Sequence, residues 1–339
     1  MHEFDNITGI YFVDEPVVAH LDSFESICVP FFNEKYSDLF WHINLLPSYT
    51  HSNSLCPSEI TDIPPFEFYI NKYASIVDKV NGNKDISIDH YPLFSKNGKD
   101  YVSDTWLYDM TIVSNKAKSI GAKITNCVQS FSDPGWRIFS CQKEMDFLLS
   151  TQLAFGTTIF EFFLYSRLNP DWIPMVDKNK PTYVYKIGKK GIKKVSKYDK
   201  YFNSLSWQGI HCVNGYSKKE TVNHLHITDG LISNLDIPWT DTNPAFKLIE
   251  DKCVELNDIT VKSNYDALVG VFTGDDNTKS YFITPYTEPK ENYINEITVK
   301  TKNAAIIKVI KNGRKIINLN KHKTTIKLKS GESLLIQTH

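Results

Sequence analysis

Short apolar runs and longer amphipathic segments alternate through the first half of the chain. Runs at residues 10–13, 40–46, 86–91, 123–130 and 157–165 are four to nine residues long and are closed by polar residues or proline. Buried strands read this way. Between them, residues 23–35, 65–80, 105–120 and 143–155 carry helical patterns. Gly121 and Gly156 stand where a helix C-cap would precede the next strand. Repeated strand–helix–strand units predict a parallel sheet covered by helices. A fifth helix is expected over 181–202, with Pro181 in its first turn and Gly188 and Gly191 weakening it. The stretch 207–239 has no clear period, and one short helix is expected within 243–257.

The last 80 or so residues change period. Short strands are expected at 258–263, 267–273, 280–284, 296–301, 305–310, 315–318, 324–328 and 333–337. Turns are expected at 274–277, Asn312-Gly313 and Ser330-Gly331. Alternation is plain from Thr324 to Lys329. Close-spaced strands of this kind predict a separate antiparallel β-sandwich.

At 339 residues the chain can bury a large core, and a formal net charge of −1 gives no reason to expect nucleic acid or an anionic membrane as partner. Lysines cluster over 186–200, which reads as a solvated helix face. No window reaches the roughly 18 apolar residues of a membrane span. The six cysteines form no C-x-x-C pair, so neither a metal site nor a disulfide framework is expected. Met1 is not followed by a basic and then an apolar stretch, and the expected location is cytoplasmic.

Chemistry gathers where the parallel strands end. Gly9-Ile-Tyr-Phe-Val-Asp-Glu-Pro is an apolar strand that stops in two carboxylates, because Pro16 cannot continue the ladder. Asp14 and Glu15 then sit at a strand's carboxyl end, where α/β barrels keep catalytic groups. Asn44, then Asp89, His90 and Tyr91, then Gln129 with Asp133, then Glu161 and Tyr165 fall at or near the ends of the strands that follow. Carboxylates, amides and rings such as Trp106 or Trp136 converging on one rim suit a sugar: acids serve the glycosidic oxygen and anomeric carbon, and rings stack on the apolar sugar face. Each residue also has a plainer reading. Asp14 could cap the next helix, His90 could be a hydrogen-bonded core histidine, and Tyr91 could be core. Asn44 and Gln129 could be satisfied structural amides. Glu161, between Phe160 and Phe162, could be a proton donor or the partner of Arg137 or Arg167. No phosphate loop, zinc motif or nucleophile elbow is present, and no metal or organic cofactor is expected.

Gly9-Ile-Tyr-Phe-Val-Asp-Glu-Pro, His42-Ile-Asn-Leu-Leu-Pro, Ile86-Ser-Ile-Asp-His-Tyr-Pro and Leu153-Ala-Phe-Gly-Thr-Thr-Ile together resemble β-galactosidase-like glycoside hydrolases with an eightfold barrel. The resemblance implies an incomplete (β/α)8 (TIM) barrel over 1–205, a connecting segment over 206–257, and a C-terminal β-sandwich over 258–339 opened by Asp266-Ala-Leu-Val-Gly-Val-Phe. In that clan the acid/base follows Asn and precedes Pro at the end of the fourth strand. Asp14 replaces the Asn here, and Glu15 takes the acid/base position. Two departures follow. Three barrel strands are missing, so the chain is expected to be a truncated piece, to be completed by another chain, or to be a rearranged open fold. The clan's nucleophile position, at the seventh strand's end, is occupied by Gln129, which cannot form a glycosyl ester; Asp89 or Glu161 is the expected stand-in. The expected function is cleavage of an O-glycosidic bond in an oligosaccharide or glycoside, with Glu15, Asp89 and Glu161 catalytic and Asp14, Asn44, His90, Tyr91, Gln129 and Trp136 holding substrate. The alternative is a catalytically silent carbohydrate-binding protein of the same fold.

Overall fold

The computed structural model describes residues 8–137, 139–217, 222–233, 242–276, 278–302 and 306–338. Position 277 of the expected turn, position 305 of the expected strand, and parts of the stretch 207–239 lie outside them. The first seven strands are β1 (Gly9–Asp14), β2 (Phe40–Leu45), β3 (Asp85–Ile88), β4 (Leu93–Lys96), β5 (Lys99–Ser103), β6 (Lys123–Gln129) and β7 (Ile159–Phe163). Five of them form one parallel sheet in the order β1-β2-β3-β6-β7.

That sheet is curled. His42 on β2 reaches Glu161 on β7, with two strands between them in the ladder, at 3.2 Å; across a flat sheet three strand spacings would part them by roughly 14 Å. The convex face is apolar: Trp41, Ile43, Leu45, Ile86, Ile88 and Ile124 pack against the crossover helices, which include Pro65–Val77 and Trp106–Ile120. The concave face takes the alternate positions, and these are polar. A closed barrel fills that space with layers of branched apolar side chains. Here it is lined by His42, Asn44, Asp85, Ser87, Asp89, Thr125, Cys127, Gln129 and Glu161.

The helical crossover expected at 23–35 is broader and irregular, passing through 3₁₀, α and π turns from Val18 to Cys28 before a regular helix over Val29–Lys35. Pro30 has no N–H to return to Ser26, which displaces the hydrogen-bond register there. Likewise the fifth helix starts later than expected, at Tyr183–Val195: Pro181 pairs in the short ladder of β8 (Val176–Asp177) and β9 (Lys180–Pro181), and the Thr182 side chain caps the helix by accepting from Tyr185 N.

Three later strands are β10 (Leu205–Val213), β11 (His224–Thr228) and β12 (Leu231–Ser233). β11 pairs with β5 of the β4–β5 hairpin and β12 pairs with β11, giving a sheet of order β12-β11-β5-β4, a feature absent from the sequence expectations. The helix expected within 243–257 is reduced to one turn, Pro244–Lys247, capped by the Asn243 side chain.

The C-terminal strands are β13 (Ile259–Lys262), β14 (Ala267–Gly274), β15 (Lys279–Pro285), β16 (Ile294–Thr301), β17 (Ile306–Lys311), β18 (Arg314–Lys321), β19 (Lys323–Lys329) and β20 (Leu334–Thr338). They form a six-stranded sheet, β10-β14-β15-β20-β17-β18, facing the three-stranded sheet β13-β16-β19. Val269, Ile283, Ile297, Val299, Leu328 and Ile336 fill the space between. β10 lies in the stretch 206–257 that was expected only to connect, and it hydrogen-bonds along β14 from Leu205 to Val213. The opposite face of the larger sheet carries Leu268, Phe272, Phe282, Ile310 and Leu335 into the same core as the helix Gln142–Ala154. Burial on both faces explains the unbroken apolar run at 267–272. No helix among the described residues is long and apolar enough to cross a membrane.

Candidate active site

The concave face holds two tiers of polar side chains. Near the amino ends of the strands, His42 Nδ1 lies 2.8 Å from Asp85 Oδ2, and Thr125 Oγ1 donates to that oxygen at 2.8 Å. His42 Nε2 lies 3.2 Å from Glu161 Oε2, close enough for an ion pair. Burial favours neutral imidazole, but the hydrogen bond to Asp85 and the nearby carboxylates of Asp85 and Glu161 outweigh it and carry His42 up to about 9. The charged form of His42 is thus favoured, with Asp85 facing one ring nitrogen and Glu161 the other. Arg137 and Arg167, the partners considered from sequence, bind Glu288 and Asp177 instead.

The upper tier sits at the carboxyl ends. Tyr11 Oη donates to Asp14 Oδ1 at 2.7 Å, Asn44 Nδ2 donates to the same oxygen at 3.1 Å, and Ser87 Oγ donates to Asn44 Oδ1 at 3.0 Å. Asn44 thus fixes Asp14 and is itself held by Ser87. Glu15 continues the ladder by donating its N–H to Asn44 O at 2.9 Å. Its φ of +49° then turns the chain sharply into Pro16. A non-glycine residue in the left-handed region costs about 1 kcal/mol or more, and such strain collects at functional positions. Tyr69 holds the turn by donating to Pro16 O.

Asp89 is the most perturbed carboxyl of the tier. It is 6% exposed. Burial, together with the charges of Glu15 and Asp14, raises it to about 7 against opposing hydrogen bonds from Tyr91 and Asn44. Its Oδ1 has no hydrogen-bond partner among the described residues. Glu15, on the exposed rim, is also pushed up, first by removal from solvent and then by Asp14. Among the described residues no lysine or arginine is paired with Asp14, Glu15 or Asp89, and no group of three or more His, Cys, Asp and Glu is placed to hold a metal ion.

An aromatic wall borders the carboxylates. Tyr91 stacks on Phe163 with centroids 5.5 Å apart and meets Trp136 edge-on at 5.7 Å; Phe131 stacks on Trp172 at 4.7 Å. Trp136 and Trp172 keep part of their surface open. Cys127, hydrogen-bonded to Tyr91 Oη at 3.5 Å, lies within the field of Asp89, Glu161 and Asp14, and burial raises its thiol.

The structure reassigns several residues. His90 is 2% exposed and engaged at both nitrogens, Nδ1 with Asp109 Oδ2 at 2.6 Å and Nε2 with Ser103 Oγ at 3.0 Å. This reproduces the order of a Ser-His-Asp triad, but Ser103 is fully buried and no substrate could reach it. The trio instead braces the site, since Asp109 Oδ2 also accepts from Ser48 N at 2.9 Å. Gln129 offers nothing to a hydroxyl: its Oε1 accepts from Leu93 N and its Nε2 donates to Leu93 O, both at 2.9 Å. Trp106 is buried in the core rather than presented to a sugar. Asp133 caps a turn by accepting from Gly135 N at 2.7 Å, and Tyr165 is exposed past the end of β7.

His42, Asp85 and Cys127 were missed from sequence. Their signal is alternation within the strands, Trp41-His-Ile-Asn-Leu and Asp85-Ile-Ser-Ile-Asp, which a fully apolar barrel interior would not show. A cavity of about 870 Å³ lies elsewhere, by Phe160, Ile192, Phe202 and Trp207. It opens near the amino ends of β6 and β7 and has no carboxylate pair, so the chemistry belongs to the concave face.

No family model and no curated protein sequence matches the chain. Among solved structures it is similar to a protein assigned as an α-L-fucosidase from Bacteroides thetaiotaomicron, with 10% identity and a TM-score of 0.38, covering 57% of this chain and 55% of that one. The match thus spans about half of the fucosidase. It is also similar to a β-L-arabinopyranosidase from Geobacillus stearothermophilus, with 9% identity, a TM-score of 0.25, and 99% and 82% of the two chains covered. A Bacteroides fragilis protein assigned as an α-galactosidase/melibiase gives 9% identity, a TM-score of 0.28, and coverage of 98% and 79%. Likeness at this distance carries neither the fold nor an activity; both rest on the chain's own geometry.

Proposed function

We propose that the concave face is a glycoside-hydrolysing site in which Asp89 protonates the leaving glycosidic oxygen and Glu15 is the second carboxylate at the anomeric centre. The observation that carries this reading is the Asp89 carboxyl: buried, raised to about 7, with Oδ1 unpartnered beside two further carboxylates. A general acid works best when its pKa lies near the working pH. Asp14, anchored by Tyr11 and Asn44, is a positioning residue that raises both neighbours. Among the described residues no lysine or arginine is paired with Asp14, Glu15 or Asp89, which suits a transition state that gathers positive charge at the sugar ring. Tyr91, Trp136 and Trp172 supply the apolar wall. The substrate class is a neutral glycoside or oligosaccharide.

A panel of nitrophenyl glycosides tests the reading. At least one should be turned over, and Glu15→Gln and Asp89→Asn should each lower kcat by about 10²–10⁴-fold. Turnover unchanged in both variants would overturn it. A second reading, sugar binding without cleavage, is favoured by one observation: His42 holds Glu161 as an ion pair and leaves β7 without a free carboxylate. Saturable glycoside binding with no turnover of any substrate in the panel would select it.

A further inference from the structure

Cys212 lies on β10, and Cys253 follows the short turn Glu250–Lys252. Their sulfurs are 3.7 Å apart across 41 residues of chain. One backbone and one side-chain hydrogen bond fix this approach: Val254 N donates to Ile210 O at 2.8 Å, and the His211 ring Nδ1 donates to Val254 O at 2.9 Å. Val254, next to Cys253, is thereby held against β10. Both residues keep part of their surface open, and Cys253 is the less buried of the two, so a small reagent meets Cys253 first. The other four, Cys28, Cys56, Cys127 and Cys141, have no such neighbour among the described residues.

We infer that Cys212 and Cys253 form an intramolecular disulfide when the folded chain meets a disulfide oxidant such as glutathione disulfide. A disulfide is about 2.05 Å long, so the sulfurs must close by roughly 1.7 Å, within reach of a side-chain rotation. The Cys253 thiolate attacks one sulfur of the small disulfide, forms a mixed disulfide and releases one thiolate. Cys212 loses its proton and attacks the Cys253 sulfur, releasing the second. Two protein thiols and one small disulfide become one protein disulfide and two small thiols. The hydrogen bond shared with the Cys212 sulfur lowers Cys253, burial working against it, while burial pushes Cys212 well up; Cys253 is thus the first nucleophile.

The bond would close the base of the excursion that carries β11 and β12. The tip of that excursion touches the site: Ser52 N donates to Asp229 Oδ1 at 3.0 Å, and Gly230 N donates to Tyr49 O. Tyr49 stands edge-on to His90 at 4.9 Å, beside Asp89. The disulfide therefore fastens a brace of the candidate site without touching its carboxylates.

The test is equilibration of the whole folded chain in mixtures of glutathione and glutathione disulfide, followed by acid quench, alkylation and peptide mapping. The expected product is a single cross-linked peptide pair joining Cys212 to Cys253, two hydrogens lighter than the reduced chain, with Tm raised by about 5 °C. Cys253→Ser should lose both the cross-link and the Tm rise. Recovery of both thiols alkylated in the most oxidising mixture would overturn the inference. So would stable glutathione adducts at Cys253 without closure, or a mixture of pairings no different from the denatured chain. The peptide map needs no variant, so poor folding of Cys253→Ser would not obscure the answer.

Discussion

A buried carboxyl raised above its ordinary range works against the fold that holds it, and Asp89 is such a group. In the unfolded chain it ionises near 3.9; in the folded chain it does so near 7. Between those values the folded state holds one proton more than the unfolded state, so stability falls as pH rises from about 4 to about 7 and is level above that. Asp89→Asn removes the charge and keeps the shape. The expected outcome at pH 8 is a gain of about 1–3 kcal/mol in unfolding free energy, measured by urea titration, together with loss of glycoside turnover. A variant equally stable at pH 5 and pH 8 relative to the parent would show that Asp89 is not buried as an acid. This residue was legible in the sequence as a polar strand end. Its neighbours were legible in kind but not in role: nothing local distinguishes Gln129 clamped to Leu93, or His90 held between Asp109 and Ser103, from a pair that binds substrate. Those partners come from other elements, and only the fold brings them within 3 Å.

Elements were easier to read than roles, because apolar runs and caps act locally. The five parallel strands and most strands of the sandwich fall within a few residues of expectation. The β4–β5 hairpin was missed although Asn97 and Gly98, with φ of +51° and +72°, make the tight turn that an Asn-Gly pair signals between two strands. What no local pattern could show is how closely elements approach. β14 lies against the end of the helix Gln142–Ala154 at Gly270, where an added Cβ would stand 2.2 Å from Ala154 O. The same carbonyl accepts from Trp207 Nε1 at 3.0 Å, so β10 and β14 both meet the helix there. Gly270→Ala must push the sheet off the helix or break that bond. The expected cost is about 3 kcal/mol or more, read as a lower denaturant midpoint with an unchanged m-value. An alanine variant within 0.5 kcal/mol of the parent, by the same measurement, would mean that sheet and helix are not in contact.

At the scale of the molecule, that contact decides whether the chain is one unit or two. One apolar core runs from Leu93 and Trp106 through Phe147 and Leu149 to Phe272, Phe282 and Leu335. The helix Gln142–Ala154 is buried along nearly its whole length because sheets press on it from both sides. A boundary near residue 258 would cut this core and strip β10 from β14, leaving a long bare ladder edge beside the apolar face of Leu268, Phe272 and Phe282. Folding is therefore expected to be a single cooperative event. Trp41, Trp106, Trp136 and Trp172 lie on or beside the parallel sheet, and Trp207 lies on β10, so tryptophan fluorescence weighs toward the parallel sheet, whereas the far-ultraviolet β signal draws heavily on the sandwich. The two signals should fall together in one denaturant transition, and residues 258–339 expressed alone should bind a hydrophobic dye and aggregate. Separated transitions, or a soluble fragment with a sharp melt of its own, would show two independent domains. In that case the curled sheet would have to hold its carboxylates in place without the sandwich behind it, and the strain at Glu15 and the burial of Asp89 would have no rigid support.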